Sequence, residues 1–161
     1  IRLERKEEKV GKVDLGERAR MALSTIQLLA NMRNISVSFV GDPVFYHADP
    51  SDMDILFNNL LSNAVKYNRE GGKVTLSLQR KEKEVEISVE DTGIGMSEEE
   101  VAQLFKEFVR IKNLRTKGIS GTGLGLSIVA KIASLYGGYV QVESTPERGS
   151  TFKVILPDDL S

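Results

Sequence analysis

Two hydrophobic rhythms alternate along the chain, spacings of three and four that suit helices and spacings of two that suit strands. Behind Asp14 as an N-cap, Leu15, Ala19, Ala22, Leu23, Ile26, Leu29 and Ala30 predict a helix ending near Asn34. Ile35, Val37 and Phe39 then alternate with Ser36 and Ser38 as a strand, and Gly41-Asp42-Pro43 turns into a short Val44-Phe45-Tyr46 strand. Asp49-Pro50-Ser51-Asp52 opens a second long helix running to about Asn68. Beyond Gly71-Gly72, Lys73 to Arg80 and Glu84 to Glu90 form a hairpin about Lys81-Glu82-Lys83, with Val74, Leu76, Leu78 and Val85, Ile87, Val89 on its buried face. Helical material at Ser97 to Phe108 follows. A last helix carries Leu124, Ile128, Ile132 and Leu135 and ends at Tyr136-Gly137-Gly138, and strands Tyr139 to Ser144 and Ser150 to Leu156 meet about Pro146-Glu147-Arg148-Gly149. Helices interleaved with hairpins indicate an α+β protein, a two-layer α/β sandwich with helices on one face of a mixed, largely antiparallel sheet.

The 161 residues, 40% of them hydrophobic, fit one globular domain. Residues 1–12 are highly charged and read as a linker or the end of a preceding helix, with the domain proper at 13–161. A formal net charge of −1 gives no whole-molecule field for nucleic acid or an anionic membrane, and no apolar run is long enough to span a bilayer, so direct membrane contact is not expected. The absence of cysteine removes disulfides, thiolate metal sites and a cysteine nucleophile.

Chemistry concentrates in a few segments. Gly121-Thr122-Gly123-Leu124-Gly125-Leu126 is glycine-rich backbone opening into a helix, where bare amides and the positive end of the helix dipole favour an anion. No acid occurs between Glu107 and Glu143, whereas Arg110, Lys112, Arg115, Lys117 and Lys131 do, which suits a polyphosphate. On the second long helix Asn59, Asn63 and Lys66 share one stripe beside the apolar Leu56, Leu60 and Ala64. Such carboxamides either satisfy nearby backbone or offer a neutral hard oxygen to Mg²⁺, which takes its other ligands from water and nucleotide phosphates. Asp91-Thr92-Gly93-Ile94-Gly95 is a second glycine-bearing turn, directly after a strand.

Taken in order, these segments resemble the ATP-binding catalytic domain of sensor histidine kinases, in the Bergerat-fold superfamily shared with DNA gyrase, large heat-shock chaperones and mismatch-repair ATPases. Asn59-Leu60-Leu61-Ser62-Asn63-Ala64-Val65-Lys66-Tyr67 is similar to the family's N box, Asp91 to Gly95 to its first glycine box, and Phe105-Lys106-Glu107-Phe108 to its F box. Gly121 to Leu126 is similar to the second glycine box, and Gly149-Ser150-Thr151-Phe152 to the terminal element.

The resemblance implies that ATP and Mg²⁺ bind here. Asp91 would accept a hydrogen bond from the adenine amine, Asn63 would ligate the metal, and Asn59 and Lys66 would sit near the phosphates. Tyr67 would pack beside the nucleotide with Gly93, Ile94 and Gly95, and Thr151 would support Asp91 through hydroxyl or water contacts. Arg110 and Lys117 would reach the γ-phosphate from a lid spanning Met96 to Ser120, above the Gly121, Thr122, Gly123, Leu124, Gly125 and Leu126 cradle. Catalytic roles fall to Asn59, Lys66 and Arg110. In hydrolysing relatives the place of Asn59 holds a glutamate that activates water; an amide cannot take that proton, so phosphoryl transfer is expected over hydrolysis. The acceptor histidine is absent, since His47 precedes Ala48-Asp49-Pro50 at a strand end. The implied partners are a dimerisation and histidine-phosphoacceptor domain of the same parent and a response regulator, with this chain cytoplasmic and monomeric by itself. A regulatory nucleotide-binding module without transferase activity is the alternative. A dinucleotide-binding oxidoreductase fits less well, because a polar, basic segment and not a strand precedes the glycines.

Overall fold

The computed structural model describes residues 10–102 and 122–158, with the side chains of 122–125 excluded. In chain order the elements are β1 (Gly11–Asp14), α1 (Leu15–Met32), β2 (Ser36–Gly41), β3 (Phe45–Ala48), α2 (Pro50–Lys66), β4 (Lys73–Lys81), β5 (Glu84–Asp91), α3 (Thr122–Leu135), β6 (Tyr139–Thr145) and β7 (Gly149–Pro157). Five strands form one sheet in the order β2-β4-β5-β7-β6, in which β2 and β4 are parallel and every other pairing is antiparallel. The expected mixed, largely antiparallel α+β sandwich is therefore present. β1 and β3 pair antiparallel as a separate ribbon, so Gly11 and Lys12 belong to a strand and not to a linker.

Local chemistry sets the ends of the helices. The Asp14 side chain accepts from the Glu17 amide at 3.2 Å, and Asp49 accepts from the Ser51 amide at 2.9 Å with Pro50 in the first turn of α2. At the far end of α3, the Gly138 amide donates to the Ala133 carbonyl and the Gly137 amide to that of Ser134, which uses up carbonyls the helix leaves open.

The core lies between the helices and one face of the sheet. Val74, Leu76 and Leu78 of β4, Val85, Ile87 and Val89 of β5, and Val154 and Leu156 of β7 project into it, against Leu56, Phe57, Leu60 and Leu61 of α2. Each such side chain contributes roughly 1.5–3 kcal/mol on burial, so the alternation holds the register of the strands firmly. Three expected core positions differ. On α3, Ile128 and Leu135 are 41% and 42% exposed, and the buried stripe is Leu126, Val129, Ile132 and Ala133. This helix is apolar nearly all round, so spacing alone allowed more than one inward face. On α1, Leu29 is exposed because Ala19, Ala22, Ile26 and Ala30 take the inner face.

Candidate nucleotide site

Asp91 is the last residue of β5, opposite Val74 of β4 and Ser150 of β7, on the helix side of the sheet. It continues the row Val85, Ile87, Val89, so sheet alternation drives a carboxylate into the layer between sheet and helices. Only 7% of it is exposed. Its Oδ1 accepts from the Gly93 amide at 2.8 Å and the Ser150 amide at 3.3 Å. Burial raises its pKa above the ordinary carboxylate value, the two amides pull it back, and neighbouring Glu90 raises it further. Both bonds fall on Oδ1, which leaves Oδ2 as the oxygen available to a ligand's N–H.

Gly93 and Gly95 let the turn close around that carboxylate. A Cβ on Gly93 would meet the Tyr67 carbonyl and Asp91 Oδ1, and Gly95 has φ of +70° with the Thr145 carbonyl where a Cβ would stand. Ile94 is exposed, and its main chain links two elements: its amide donates to the Tyr67 carbonyl at 3.4 Å, and its carbonyl accepts from the Glu147 amide at 2.7 Å.

That bond to Tyr67 ties the turn to the end of α2. Leu56, Leu60 and Ala64 are buried, and Asn59 and Asn63 lie half-buried at the margin of the same helix, with Lys66 exposed. Asn59 Nδ2 donates to the Ile55 carbonyl at 2.8 Å, the backbone-satisfying bond open to any helix amide. Asn63 is different. Its Nδ2 is buried without a hydrogen-bond partner among the described residues, and an amide left unpaired costs about 1–3 kcal/mol unless a ligand completes it. Rotation of the amide exchanges oxygen for nitrogen at that position, so the group can serve a cation as well as an acceptor. The Lys66 ammonium lies over the Tyr67 ring at 5.7 Å from its centroid, and burial raises the Tyr67 phenol above its ordinary pKa.

The structure places Ser150, not Thr151, beside Asp91. Thr151 stands opposite Glu90 and Glu143 in the ladder, and with side chains alternating it belongs to the other face of the sheet. Ser150 is buried, and its hydroxyl pairs with that of Ser144 at 2.7 Å. Ser144 Oγ also accepts from the Met96 amide at 2.7 Å, which anchors the start of the expected lid. Ser97 and Glu100 then cap the next helical turn reciprocally, at 2.9 and 3.1 Å. Arg110, Lys117 and Gly121 lie outside the described residues, as do the F-box residues and the side chains of Thr122, Gly123, Leu124 and Gly125. Leu126 is buried in α3.

Two residues that pattern analysis missed hold the site together. Asn68, 4% exposed, donates to the Lys73 carbonyl at 3.0 Å, and its Oδ1 accepts from the Arg69 amide and from the Thr92 hydroxyl. Arg69 donates to the carbonyls of Thr92, Gly93 and Glu147 at 3.0–3.2 Å, joining the Asp91 turn to the β6–β7 turn. The available signal was a polar pair immediately after a helix, where side chains commonly take up open carbonyls.

These groups suit a purine nucleotide. A buried acceptor with one engaged oxygen matches an exocyclic amine, and the neutral Asn63 amide suits a cation that draws its other ligands from phosphate and water. Among the described residues no cluster of three His, Asp or Glu groups forms an all-protein metal cage. No helix among them is long and apolar enough to cross a membrane.

Known proteins resemble this chain in sequence and fold. The family model described as histidine kinase-, DNA gyrase B- and HSP90-like ATPase matches residues 48–160. The circadian input-output histidine kinase CikA of Synechococcus elongatus is 37% identical over 148 residues, covering 89% of this chain and 20% of that protein. The sensor histidine kinase WalK of Bacillus subtilis is 36% identical over 116 residues, covering 71% of this chain and 19% of that protein. The chain thus spans about a fifth of the length of these relatives. The solved catalytic domain of histidine kinase ThkA superposes with a TM-score of 0.78 at 27% identity, covering 92% of this chain and 95% of that one. The mycobacterial sensor histidine kinase MprB gives 0.77 at 25% identity, covering 92% and 97%. With the buried acid, the amide-bearing helix and the Asp91 to Gly95 turn brought together, the chain belongs to the family of histidine kinase-, DNA gyrase B- and HSP90-like ATPases.

Proposed function

We propose that this chain is the ATP-binding catalytic domain of a sensor histidine kinase, which holds Mg-ATP and presents its γ-phosphate to a histidine on a separate dimerisation and phosphoacceptor domain. The observation that carries the nucleotide reading is Asp91, buried, with Oδ1 fixed by two main-chain amides and Oδ2 left to meet the adenine amine. Guanine presents a carbonyl where adenine presents that amine, so the same acid selects ATP over GTP. Asn63 supplies one metal ligand, and Asn59 and Lys66 stand along the phosphates. When bound, Mg²⁺ neutralises charge between the phosphate groups.

The reaction asks little covalent chemistry of this domain. An imidazole nitrogen of the acceptor forms a bond to the γ-phosphorus as the bond to the β–γ bridging oxygen breaks, ADP leaves, and the imidazole proton passes to a base on the acceptor domain. Asn59 has no carboxylate with which to activate water, which favours transfer over hydrolysis. The phosphoryl group then passes to a response regulator, and the domain works in the cytoplasm, where ATP is available. His47 takes no part: it lies exposed on β3, opposite Lys12 in the ladder.

Calorimetric titration with Mg-ADP tests the nucleotide site, and incubation with radiolabelled ATP and the parent's separately expressed acceptor hairpin tests the transfer. Label should appear on the hairpin and not on this chain. Absence of Mg-ADP binding by the unaltered chain would overturn the assignment, and binding without label on the hairpin would overturn the transfer step alone.

A further inference from the structure

The inward row of β4 reads Val74, Leu76, Leu78 and then Arg80, so a guanidinium occupies a position that sheet alternation assigns to the core. Arg80 pairs with Val85 at the opposite end of the hairpin from the Val74–Asp91 pair. Six residue steps of strand separate the two ends, about 20 Å at the usual rise per residue, so this region is distinct from the proposed nucleotide site.

A cavity of about 470 Å³ opens there, walled by Lys12 of β1, Pro43, Phe45, Tyr46 and His47 of β3 and its approach, Arg80, and Asp158 after β7. That is the size of a small-molecule or side-chain pocket. One side of the Arg80 fork is engaged, with Nη2 donating to the Phe45 carbonyl at 2.9 Å and to Asp158 Oδ2 at 2.7 Å. The other terminal nitrogen, Nη1, is buried and makes no hydrogen bond among the described residues. A guanidinium is built to take two oxygens side by side, and here it already holds one carboxylate of the chain itself. Lys12 adds a second cation, 5.2 Å from the centre of the Phe45 ring, and His47 faces it across the β1–β3 ladder. Among the described lining residues, the anchored Arg80 and the exposed Lys12 thus stand against the one carboxylate of Asp158, beside an apolar wall of Pro43 and Phe45. The Tyr46 hydroxyl is committed to the Pro157 carbonyl at 2.9 Å, which stiffens that wall.

We propose that this cavity binds an acidic group, carboxylate or phosphate, carried on a flat apolar body, with the charge between Arg80, Lys12 and His47 and the body against Phe45 and Pro43. Nucleotide binding at Asp91 does not require it.

The test is an amide-resolved NMR titration of the whole chain with benzoate, phenyl phosphate and, as the neutral control, benzamide. Benzoate or phenyl phosphate should move the amides of Lys12, Phe45, His47 and Arg80 in one saturable process, with those of Asp91 to Gly95 unmoved, and benzamide should not. The stronger of the two acids identifies the head group. Lys12→Gln and His47→Gln, at exposed strand positions, should each weaken binding about threefold or more, the scale of one exposed charge. Arg80→Gln should weaken it further, and the first two variants decide the matter should Arg80→Gln not fold. Equal response to benzamide, shifts scattered over the surface without saturation, or undiminished affinity in both exposed variants would overturn the proposal.

Discussion

Two rows of the same β-hairpin end on a charge. On β5 the inward sequence Val85, Ile87, Val89 closes on Asp91, and on β4 the sequence Val74, Leu76, Leu78 closes on Arg80; because the strands are antiparallel, the acid and the base lie at opposite ends of the sheet. They are stabilised differently. Asp91 is held by main-chain amides of Gly93 and Ser150, whose positions the ladder and the glycine turn dictate. Arg80 is held by another side chain, Asp158, and by the Phe45 carbonyl of a neighbouring ribbon. A charge fixed by backbone is rigid and suits discrimination between bases, whereas a charge fixed by a side-chain partner can exchange it.

The largest effect expected from breaking this contrast is at Asp91. In Asp91→Asn, Oδ1 can still accept from both amides, and the other amide atom becomes a donor facing the donor amine of adenine. Mg-ADP affinity should fall about a hundredfold or more, the usual scale when a matched buried bond becomes a mismatch, as calorimetry will show. Thermal stability should not fall with it.

The pH dependence sharpens the same point. Burial raises the folded-state pKa of Asp91, so its favourable contribution to folding is present below the unfolded value and lost as pH rises through the folded one. At neutral pH the ionised acid is a cost. Asp91→Asn should therefore melt higher than the parent at neutral pH, with the gap narrowing toward acid, while the parent's Mg-ADP affinity declines over that same acid range. Melting curves and titrations at matched pH would show the parent's stability relative to Asp91→Asn rising toward acid as its Mg-ADP affinity falls; a relative stability that falls together with the affinity would remove the desolvated carboxylate from the account.

The Asp91 end of the sheet was legible in the sequence because its parts are local. A strand running into Asp91-Thr92-Gly93-Ile94-Gly95, and amides at Asn59 and Asn63 four apart, each declare their geometry without knowledge of distant residues. The rest was not. β1 has one buried apolar residue, Val13, so its pairing with β3 is a property of the partner strand. Thr151 and Ser150 differ by one step in a ladder, and only the register decides which shares a face with Asp91. Arg69 and Asn68 act on carbonyls brought close by tertiary packing, and Arg80 reads in sequence as an ordinary strand end.

Arg69 carries the next largest expectation. Three carbonyls from two turns converge on its side chain, which is about half exposed, so its ion pair with Glu147 at 3.9 Å adds little and the carbonyl bonds matter more. Arg69→Ala should reduce Mg-ADP affinity about tenfold, the equivalent of one to two hydrogen bonds, by loosening the turn that holds Gly93 against Asp91. Arg69→Lys, which cannot span the three acceptors, should recover little of it.

The smallest effects separate the neighbours on β7. Thr151→Ala removes a side chain from the face away from Asp91 and should change affinity less than about twofold, within the range of ordinary surface substitutions. Ser150→Ala keeps the main-chain amide that Asp91 uses and removes the hydroxyl shared with Ser144, which also receives the Met96 amide. Its affinity should drop about threefold, less than one ordinary hydrogen bond, because the loss reaches the proposed nucleotide site only through Ser144 and Met96. A larger loss at Thr151 than at Ser150 would mean that the β5–β7 register shifts by one residue when nucleotide binds, and would move the support of Asp91 from a main-chain amide to a hydroxyl.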